Sequence, residues 1–266
     1  MKICYDFTET QEVGIIYKRF ARVFHEGPYT SFSRRIAKNF TKILENFHVR
    51  GKKVLDVACG EGTFAVEIAK QGFEVVGIDL SPEMLEFARK RAKEESVPVV
   101  FLKKDMRELD FHEEFDIVTC WFDSLNYLLD YSDLKKTFEK VHEALKAGGA
   151  LLFDMNTVYG LLMANQEGPV YIQQDGKDIF EVQTIEFELE ESIATFYVTV
   201  FERKQGNLWE RFDEIHRERG YRVKEIAYAL SDAGFVFSFY EDLLSKSPLT
   251  SYSRRLWCVA RKVSAG

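Results

Sequence analysis

The sequence predicts an α/β protein built on a doubly wound, mostly parallel sheet, and three observations lead to that class. From residue 53 to residue 156, apolar runs typical of strands alternate with amphipathic runs typical of helices. A glycine turn, Gly60-Glu61-Gly62, separates the first strand from the first helix, and Asp79 ends the second strand. Because parallel strands must be joined by crossover connections, this alternation favours a doubly wound sheet.

The elements of this region follow one another in a regular order. We predict a strand at 54–58, a helix at 63–71, a strand at 74–80, a helix at 82–95, strands at 99–105 and 115–122, a helix at 133–146 and a strand at 150–156. Ser81 and Pro82 supply the preferred N-cap and first residue of the helix that follows the second strand. Gly148-Gly149 is expected to end the last helix.

Residues 1–49 are predicted to form a helical arm. Apolar residues, Ile15 among them, recur at helical spacing between residues 11 and 48. The pattern breaks at Gly27-Pro28, so we expect two helices joined by the aromatic, hydroxyl-rich loop "HEGPYTSFS".

The pattern changes after residue 156. Runs of period two lie between residues 170 and 216, and short turns such as Asp175-Gly176 separate them, which indicates antiparallel hairpins. A helix at 223–234 and strands at 235–241 and 255–262 close the chain. We therefore divide the chain into the arm, a core domain at 50–156 and 218–266, and an antiparallel β insertion at 157–217. The insertion can be a lid, a substrate surface or a homodimer surface, and the sequence leaves these alternatives open.

The composition disfavours several classes of function. A net charge of −7 and a pI near 5.4 argue against a long contact with nucleic acid, which needs a basic face. No apolar run approaches the roughly 18 residues of a membrane helix, and the N-terminus has no apolar signal segment, so we expect a cytoplasmic protein without a membrane partner. The four cysteines and five histidines are scattered along the chain, which predicts no metal site.

The glycine turn predicts a nucleoside pocket but does not by itself identify the nucleoside. The motif G-x-G-x-x-A at 60–65 permits NAD, and an acid at Asp79 can bind ribose hydroxyls in either case. Asp56 lies inside the first strand, where it would repel a pyrophosphate but tolerate a cationic sulfonium. Asp105-Met106 follows the third strand, where an acid can bind an adenine amino group. The loop "CWFDSLNYL" offers no hydride-transfer acid paired with an arginine, so S-adenosylmethionine is favoured.

The ordered motifs resemble those of class I S-adenosylmethionine-dependent methyltransferases. The segments that carry the resemblance are "VLDVACGEG", "VVGIDLS", "KKDMREL", "FDIVTCW" and "HEALKAGGALLFD". The resemblance implies a Rossmann-like sheet of seven strands, the last of them antiparallel, and cofactor contacts from Gly60, Gly62, Asp79 and Asp105. The arm and the late hairpin insertion are similar to those of small-molecule N-methyltransferases that act on glycine or amino sugars.

The candidate cofactor-binding residues lie in the arm and at the ends of the first four strands. They are Tyr17, Tyr29, Arg34, Asp56, Ala58, Cys59, Gly60, Gly62, Asp79, Leu80, Asp105, Met106, Cys120 and Trp121. Both glycines are expected to let the backbone approach the methionine part of the cofactor. Leu80 and Met106 are expected to sandwich the adenine. The three aromatic residues would face the sulfonium, and the arginine would hold the methionine carboxylate. The two cysteines are either reactive thiols or small residues tolerated by close packing, and the second interpretation is favoured.

The acceptor side is expected to use residues at strand ends and in the insertion. Methyl transfer is an in-line displacement that depends on positioning, and a base is needed only when the nucleophile arrives protonated. The catalytic candidates are Asp123, Tyr127 and His216, and Asn126 and Asp154 also lie at strand ends. His216 is either that base or part of a solvated, charged strand.

We therefore predict methyl transfer from S-adenosylmethionine to a small-molecule acceptor, with nitrogen favoured over oxygen as the target atom and S-adenosylhomocysteine as the product. Three alternatives stay open at this point. They are a non-catalytic S-adenosylmethionine-binding protein, a methyltransferase for tRNA or protein, and an NAD oxidoreductase.

Overall fold

The computed structural model describes residues 16–263. Its helices are α1 (Phe20–Glu26), α2 (Thr30–Asn46), α3 (Thr63–Lys70), α4 (Pro82–Glu94), α5 (Tyr131–Ala144), α6 (Val158–Glu167) and α7 (Val223–Asp232). Its strands are β1 (Lys53–Val57), β2 (Glu74–Asp79), β3 (Val99–Lys103), β4 (Phe115–Cys120), β5 (Leu145–Asn156), β6 (Val170–Asp175), β7 (Ile179–Glu188), β8 (Ile193–Arg203), β9 (Trp209–Arg219), β10 (Phe235–Asp242), β11 (Ser247–Pro248) and β12 (Arg255–Lys262).

The larger sheet has the strand order β11-β10-β12-β5-β4-β1-β2-β3. Strands β1 to β5 run parallel to one another, whereas β12 is antiparallel to both β5 and β10. The predicted seven-stranded sheet with an antiparallel last strand is therefore confirmed, and the two-residue strand β11 extends its edge. The strand order reverses between β1 and β4, and a crevice that can hold a ligand forms at such a point.

The arm contributes two helices, but it is less helical than the sequence indicates. Residues 16–19 are not helical, and α1 begins at Phe20; the predicted helical residues 11–15 lie outside the described part of the chain. The break between the helices falls at Gly27-Pro28, as expected. Apolar residues of α2, such as Ile36 and Phe40, pack into one core cluster with α3.

Two local predictions are wrong. Helix α5 ends at Ala144 rather than at Gly148-Gly149, and both glycines lie inside β5, where the pairing with β4 shifts register. A Cβ at Gly149 would lie 2.9 Å from the carbonyl oxygen of Asp116, so a glycine is needed at this irregularity. The insertion also contains a helix, α6, which was not predicted. Its N-cap residue Thr157 accepts a hydrogen bond from the backbone N–H of Gly160.

The insertion forms a second, antiparallel sheet with the order β6-β7-β8-β9. Helix α1 packs on one face of it, in a cluster that includes Val198 and Val200. On β9 the residues of this inner face are Phe212, Glu214, His216 and Glu218, and all four are buried. The inner face is therefore unusually polar for a buried sheet surface. Within residues 16–263, no helix has the length and apolar character needed to cross a membrane.

Candidate active site

A cleft of about 2150 Å³ opens at the carboxyl ends of β1, β2 and β4. Its walls come from the glycine turn, from the residues after β2 and β3, from the loop after β4, from the arm and from β9. The position agrees with the reversal of strand order between β1 and β4. The cleft brings together segments that are distant in the sequence, and it is the candidate active site.

The glycine turn enters the cleft with a left-handed backbone. Ala58, Gly60 and Gly62 all have positive φ values, of 54°, 55° and 79°. A Cβ at Gly62 would lie 2.8 Å from the Cβ of Ala88, so this glycine is required for packing against α4. Among the described residues, no atom lies within 4 Å of where a Cβ at Gly60 would be. Of the two glycines, only Gly60 therefore leaves open space into which a ligand can approach the backbone.

Asp79 connects the glycine turn to Ser81, the N-cap of α4. Its carboxylate accepts hydrogen bonds from the backbone N–H of Gly60 at 2.8 Å and of Ser81 at 2.9 Å. Burial raises the pKa of the Asp79 carboxyl. The next residue, Leu80, lines the cleft with 55% of its surface exposed. An acid beside an exposed apolar side chain suits a ribose next to an adenine, so these residues fit the predicted cofactor.

Asp56 lines the cleft from within β1, as predicted, and is only 2% exposed. The hydroxyl of Thr119 donates a hydrogen bond to it at 2.8 Å. Burial raises the pKa of the Asp56 carboxyl to about 7, and the nearby carboxylate of Asp79 adds to this effect. The side chain therefore titrates near neutral pH and responds to any cation placed in the cleft.

The residues after β3 also line the cleft. Arg107 donates to both carboxylate oxygens of Asp105, and these hydrogen bonds lower the pKa of that carboxyl. Arg107 also binds Asp133 of α5 at 2.7 Å. Asp105 is thus held in place as an ionised acceptor at the cleft. Met106, whose side chain packs partly against the core, lines the cleft beside it.

Four residues predicted to bind the cofactor are not among those that line the cleft. One is Gly62, which packs against α4. Arg34 is exposed on α2 and lies 3.6 Å from Glu67 of α3, so it is turned toward the surface. Tyr29 donates its hydroxyl hydrogen to the buried carboxylate of Glu181 in the insertion. Cys120 is 2% exposed inside the core. These placements correct the sequence-based assignment. Arg34 and Tyr29 lie close to acids on other elements, and Cys120 is packed in the core.

The other members of that assignment do line the cleft. Ala58, Cys59, Tyr17 and Trp121 all contribute to its wall. Burial raises the pKa of Cys59 and of Cys120, so both thiols stay protonated at neutral pH, in agreement with a packing role. The indole N–H of Trp121 is buried and has no hydrogen-bond partner within residues 16–263.

A hydrogen-bonded chain of three side chains links the arm, the loop after β4 and the insertion. The hydroxyl oxygens of Tyr17 and Tyr127 are 3.0 Å apart, and the Tyr127 hydroxyl lies 3.0 Å from Nδ1 of His216. Nε2 of His216 lies 3.3 Å from Oε1 of Glu214. Tyr17, Tyr127 and Glu214 line the cleft, whereas His216 is 4% exposed behind them. The alternative of a solvated, charged strand is therefore wrong for His216.

Comparison with known proteins agrees with this geometry. A family described as a methyltransferase domain matches residues 54–149. A protein of Geobacillus sp. strain WCH70, classed by name as a methyltransferase, is 34% identical over 251 residues, which cover 92% of this chain and 99% of that protein. The solved structure of an S-adenosylmethionine-dependent methyltransferase from Clostridium acetobutylicum superposes with a TM-score of 0.77 at 28% identity, and covers 94% of this chain and 99% of that one.

The chain belongs to the S-adenosylmethionine-dependent methyltransferases. The predicted enzyme class and cofactor are thus confirmed, and the NAD oxidoreductase alternative is set aside. The glycine/sarcosine N-methyltransferase of Parasynechococcus marenigrum is also similar, at 30% identity over 162 residues, which cover 59% of this chain and 55% of that protein.

The other residues predicted for the acceptor side of this methyltransferase lie outside the cleft lining. Asp123 is 9% exposed and binds Arg255 at 2.7 Å instead of lining the cleft. Asn126 is fully buried, and its amide binds backbone atoms of Asn156 and Arg219. Asp154 is fully buried as well. None of these three side chains therefore lines the cleft.

Sequence reasoning missed two buried acids that line the methyltransferase cleft. Glu214 shares a face of β9 with His216, so period-two alternation could have found it. Glu61, between the two glycines, is 2% exposed and binds Arg91 of α4 and His25 of α1. No local signal predicts the cluster of Glu61, Arg91 and His25, because its members lie on three separate segments: the glycine turn, α4 and α1.

Proposed function

We propose that this methyltransferase transfers the methyl group to the nitrogen of a small-molecule amine. The observation that carries the proposal is the hydrogen-bonded chain from Tyr17 through Tyr127 to His216, which begins in the wall of the cleft. The cofactor supplies an electrophilic methyl group when it is bound. The side chains of the hydrogen-bonded chain must then hold the acceptor nitrogen in line with the methyl group, and they must accept a proton from the acceptor.

The proton has a route away from the acceptor. An aliphatic amine resembles a lysine side chain, whose pKa is about 10.4, so it arrives as an ammonium at neutral pH and must be deprotonated before it can attack. Burial raises the pKa of both Tyr17 and Tyr127, so neither serves as a lasting base. Each tyrosine can instead accept one proton as it passes its own hydroxyl proton toward His216. Nδ1 of His216 is the final acceptor in this route.

The carboxylate of Glu214 supports this assignment of the proton route. It lies 3.3 Å from Nε2 of His216 without forming a hydrogen bond to it, so its negative charge attracts the imidazolium that forms. Glu214 also lines the cleft, where a carboxylate attracts an ammonium group. The rings of Phe24 and Phe122, 6.1 Å apart, line the same cleft and suit a cationic acceptor.

The similarity to a glycine/sarcosine N-methyltransferase is a second, weaker support for nitrogen as the target. The net charge of −7 favours a cationic acceptor over a nucleic acid. Strand β9 of the insertion contributes Phe212 and Glu214 to the cleft, and this favours the insertion as an acceptor wall. Homodimer formation through the insertion stays a prediction.

The test is a screen of purified protein with S-adenosylmethionine and matched acceptors. Primary, secondary and aromatic amines are each paired with the alcohol of the same carbon skeleton, and S-adenosylhomocysteine is quantified. We expect turnover with at least one amine and none with its paired alcohol. Methylation of alcohols or phenols with every amine inert would contradict nitrogen as the target.

The role of His216 is tested on the amine that is turned over. We expect His216→Gln to lower kcat by about a hundredfold, because general acid–base catalysis contributes a factor of this order. The affinity for S-adenosylhomocysteine should not change. The matched control is His142→Gln, because His142 packs against Phe235 away from the cleft. Equal kcat values in the wild type and in His216→Gln would remove the base from the proposal.

A further inference from the structure

The loop after β4 passes through an unusual backbone conformation. Residues 121–127, here called the cleft loop, contribute Trp121, Phe122, Ser124 and Tyr127 to the wall of the cleft. Two consecutive residues in it, Phe122 and Asp123, have φ values of 59° and 53°. Residues with a Cβ rarely adopt this left-handed conformation, so two in succession persist only where surrounding contacts hold them.

The contacts that hold them converge on one buried carboxylate. Oδ1 of Asp154 accepts the backbone N–H of Phe122 at 2.7 Å, and its Oδ2 accepts that of Asp123 at 3.2 Å. Asp154 lies on β5, the neighbour of β4 in the sheet, and its side chain is fully buried. Because both amides point at the same anion, the carboxylate stabilises this turn rather than the extended backbone that would continue β4.

A cation completes the arrangement. Nη1 of Arg255 on β12 donates to Asp154 and also to Asp123, the latter at 2.7 Å. Its guanidinium lies over the rings of Phe32 and Phe122, at 5.2 Å and 5.9 Å from their centroids. Arg255 therefore joins the carboxylate, the turn and an aromatic side chain of the cleft wall in one cluster.

The turn determines where the rest of the cleft loop lies. Asp123 precedes a short 3-10 helix at Ser124–Tyr127, and its carbonyl accepts the N–H of Asn126 at 2.8 Å. Tyr127, at the end of that turn, is the middle member of the chain between Tyr17 and His216. A change at 122–123 therefore moves both an aromatic wall and the tyrosine that relays the proton.

We propose that Asp154 is a positioning residue for methyl transfer, which acts by holding Phe122 and Asp123 in the left-handed conformation that places the cleft loop. Asp154 does not line the cleft, so it works through the loop and not by contact with a substrate. The activity part of its test rests on the proposed amine acceptor, whereas the structural part does not.

The test compares Asp154→Asn with a matched control. Asp116 on β4 also accepts two consecutive backbone N–H groups, those of Lys52 and Lys53, both at 3.0 Å, and pairs with Lys146 at 2.7 Å. Asp116 therefore fixes a backbone segment as Asp154 does, but it lies at the opposite, amino end of the strands, away from the cleft. Asp116→Asn thus reports what losing such a carboxylate costs in stability alone.

Three quantities are measured on wild type and both variants: the unfolding midpoint, the affinity for S-adenosylhomocysteine, and the exchange rates of the amides of Phe122 and Asp123. On the amine that is turned over, kcat is measured too. We expect Asp154→Asn to speed exchange at both amides and to lower kcat by tenfold to a hundredfold, since small displacements of a catalytic group have effects of this order. The cofactor affinity should change less than threefold. Asp116→Asn should leave kcat and both exchange rates unchanged.

Some results would overturn the proposal. Equal kcat in the two variants would show that the carboxylate is only structural, and a loss of cofactor affinity as large as the loss in kcat would place Asp154 in the cofactor pocket. If Asp154→Asn does not fold, Arg255→Lys is the second variant, and unchanged exchange at Phe122 and Asp123 would overturn the proposal. If the wild type methylates no amine, the proposed function fails, while the amide-exchange measurement still decides the role of Asp154.

Discussion

The titration of Asp56 yields the sharpest prediction about cofactor binding. This carboxyl is 2% exposed in the cleft, and burial raises its pKa from 3.8 to about 7. The rise disfavours the ionised form in the free protein by about 4 kcal/mol, at 1.36 kcal/mol per pKa unit. About half of the molecules therefore carry a neutral Asp56 at pH 7. A change of pH should therefore alter cofactor affinity in the wild type but not in a variant that lacks the Asp56 carboxyl.

The direction of the pH effect on stability follows from the coupling between proton binding and folding. Because the folded-state pKa lies above the unfolded one, the folded protein retains a proton that the unfolded chain has lost between about pH 4 and pH 7. The free energy of unfolding should fall as pH rises through that window and level off above pH 7. A cation in the cleft favours ionised Asp56, so cofactor affinity should change in the opposite direction. It should weaken by at most about tenfold for each pH unit below 7, which is the limit for one proton.

The assay is calorimetric titration between pH 5.5 and 8.5 in buffers of different ionisation enthalpy. S-Adenosylmethionine carries a sulfonium and an ammonium group, whereas S-adenosylhomocysteine carries only the ammonium group. We expect S-adenosylmethionine to lose more affinity on acidification and to release a fraction of a proton on binding at pH 6. Asp56→Asn should remove both effects, and Asp116→Asn, outside the cleft, should retain them. A constant ratio of the two affinities across this range in the wild type would refute the reasoning.

Further predictions concern the glycine turn and the acid after β2. Asp79→Ala should weaken S-adenosylmethionine binding by tenfold or more, since a hydrogen bond to a charged group contributes about 1.5–3 kcal/mol, and unchanged affinity by calorimetry would remove Asp79 from the site. Asp242→Asn is its control, because that carboxylate also accepts two backbone N–H groups but lies away from the cleft. Gly62→Ala should lower the free energy of unfolding by more than Gly60→Ala, since only the former places a Cβ 2.8 Å from a packed neighbour. Gly60→Ala should mainly weaken cofactor binding, and equal thermal stability of the two variants would contradict this difference.

The sequence alone determined the core of this methyltransferase. Strand and helix periods, the glycine turn and the acid after β2 are local patterns, and they place Gly60, Asp79 and Leu80 in the cleft. Such patterns are readable because a buried strand or an amphipathic helix imposes its period on neighbouring residues. The end of α5 was predicted wrongly, because the two glycines after it do not reflect a local pattern. The glycines at 148–149 satisfy a register shift against β4, and that requirement comes from another strand.

Only the tertiary structure decided which candidates meet. Tyr127 and His216 are 89 residues apart, and Tyr29 meets Glu181 across 152 residues. Arg34 faces Glu67 because α2 packs beside α3. The packing of the arm against the insertion therefore pairs Tyr29 with Glu181, and it brings Tyr17 into a hydrogen-bonded chain with Tyr127 and His216. The physical reason is that a side chain's role depends on burial and on partners contributed by distant segments, and neither has a local period in the sequence.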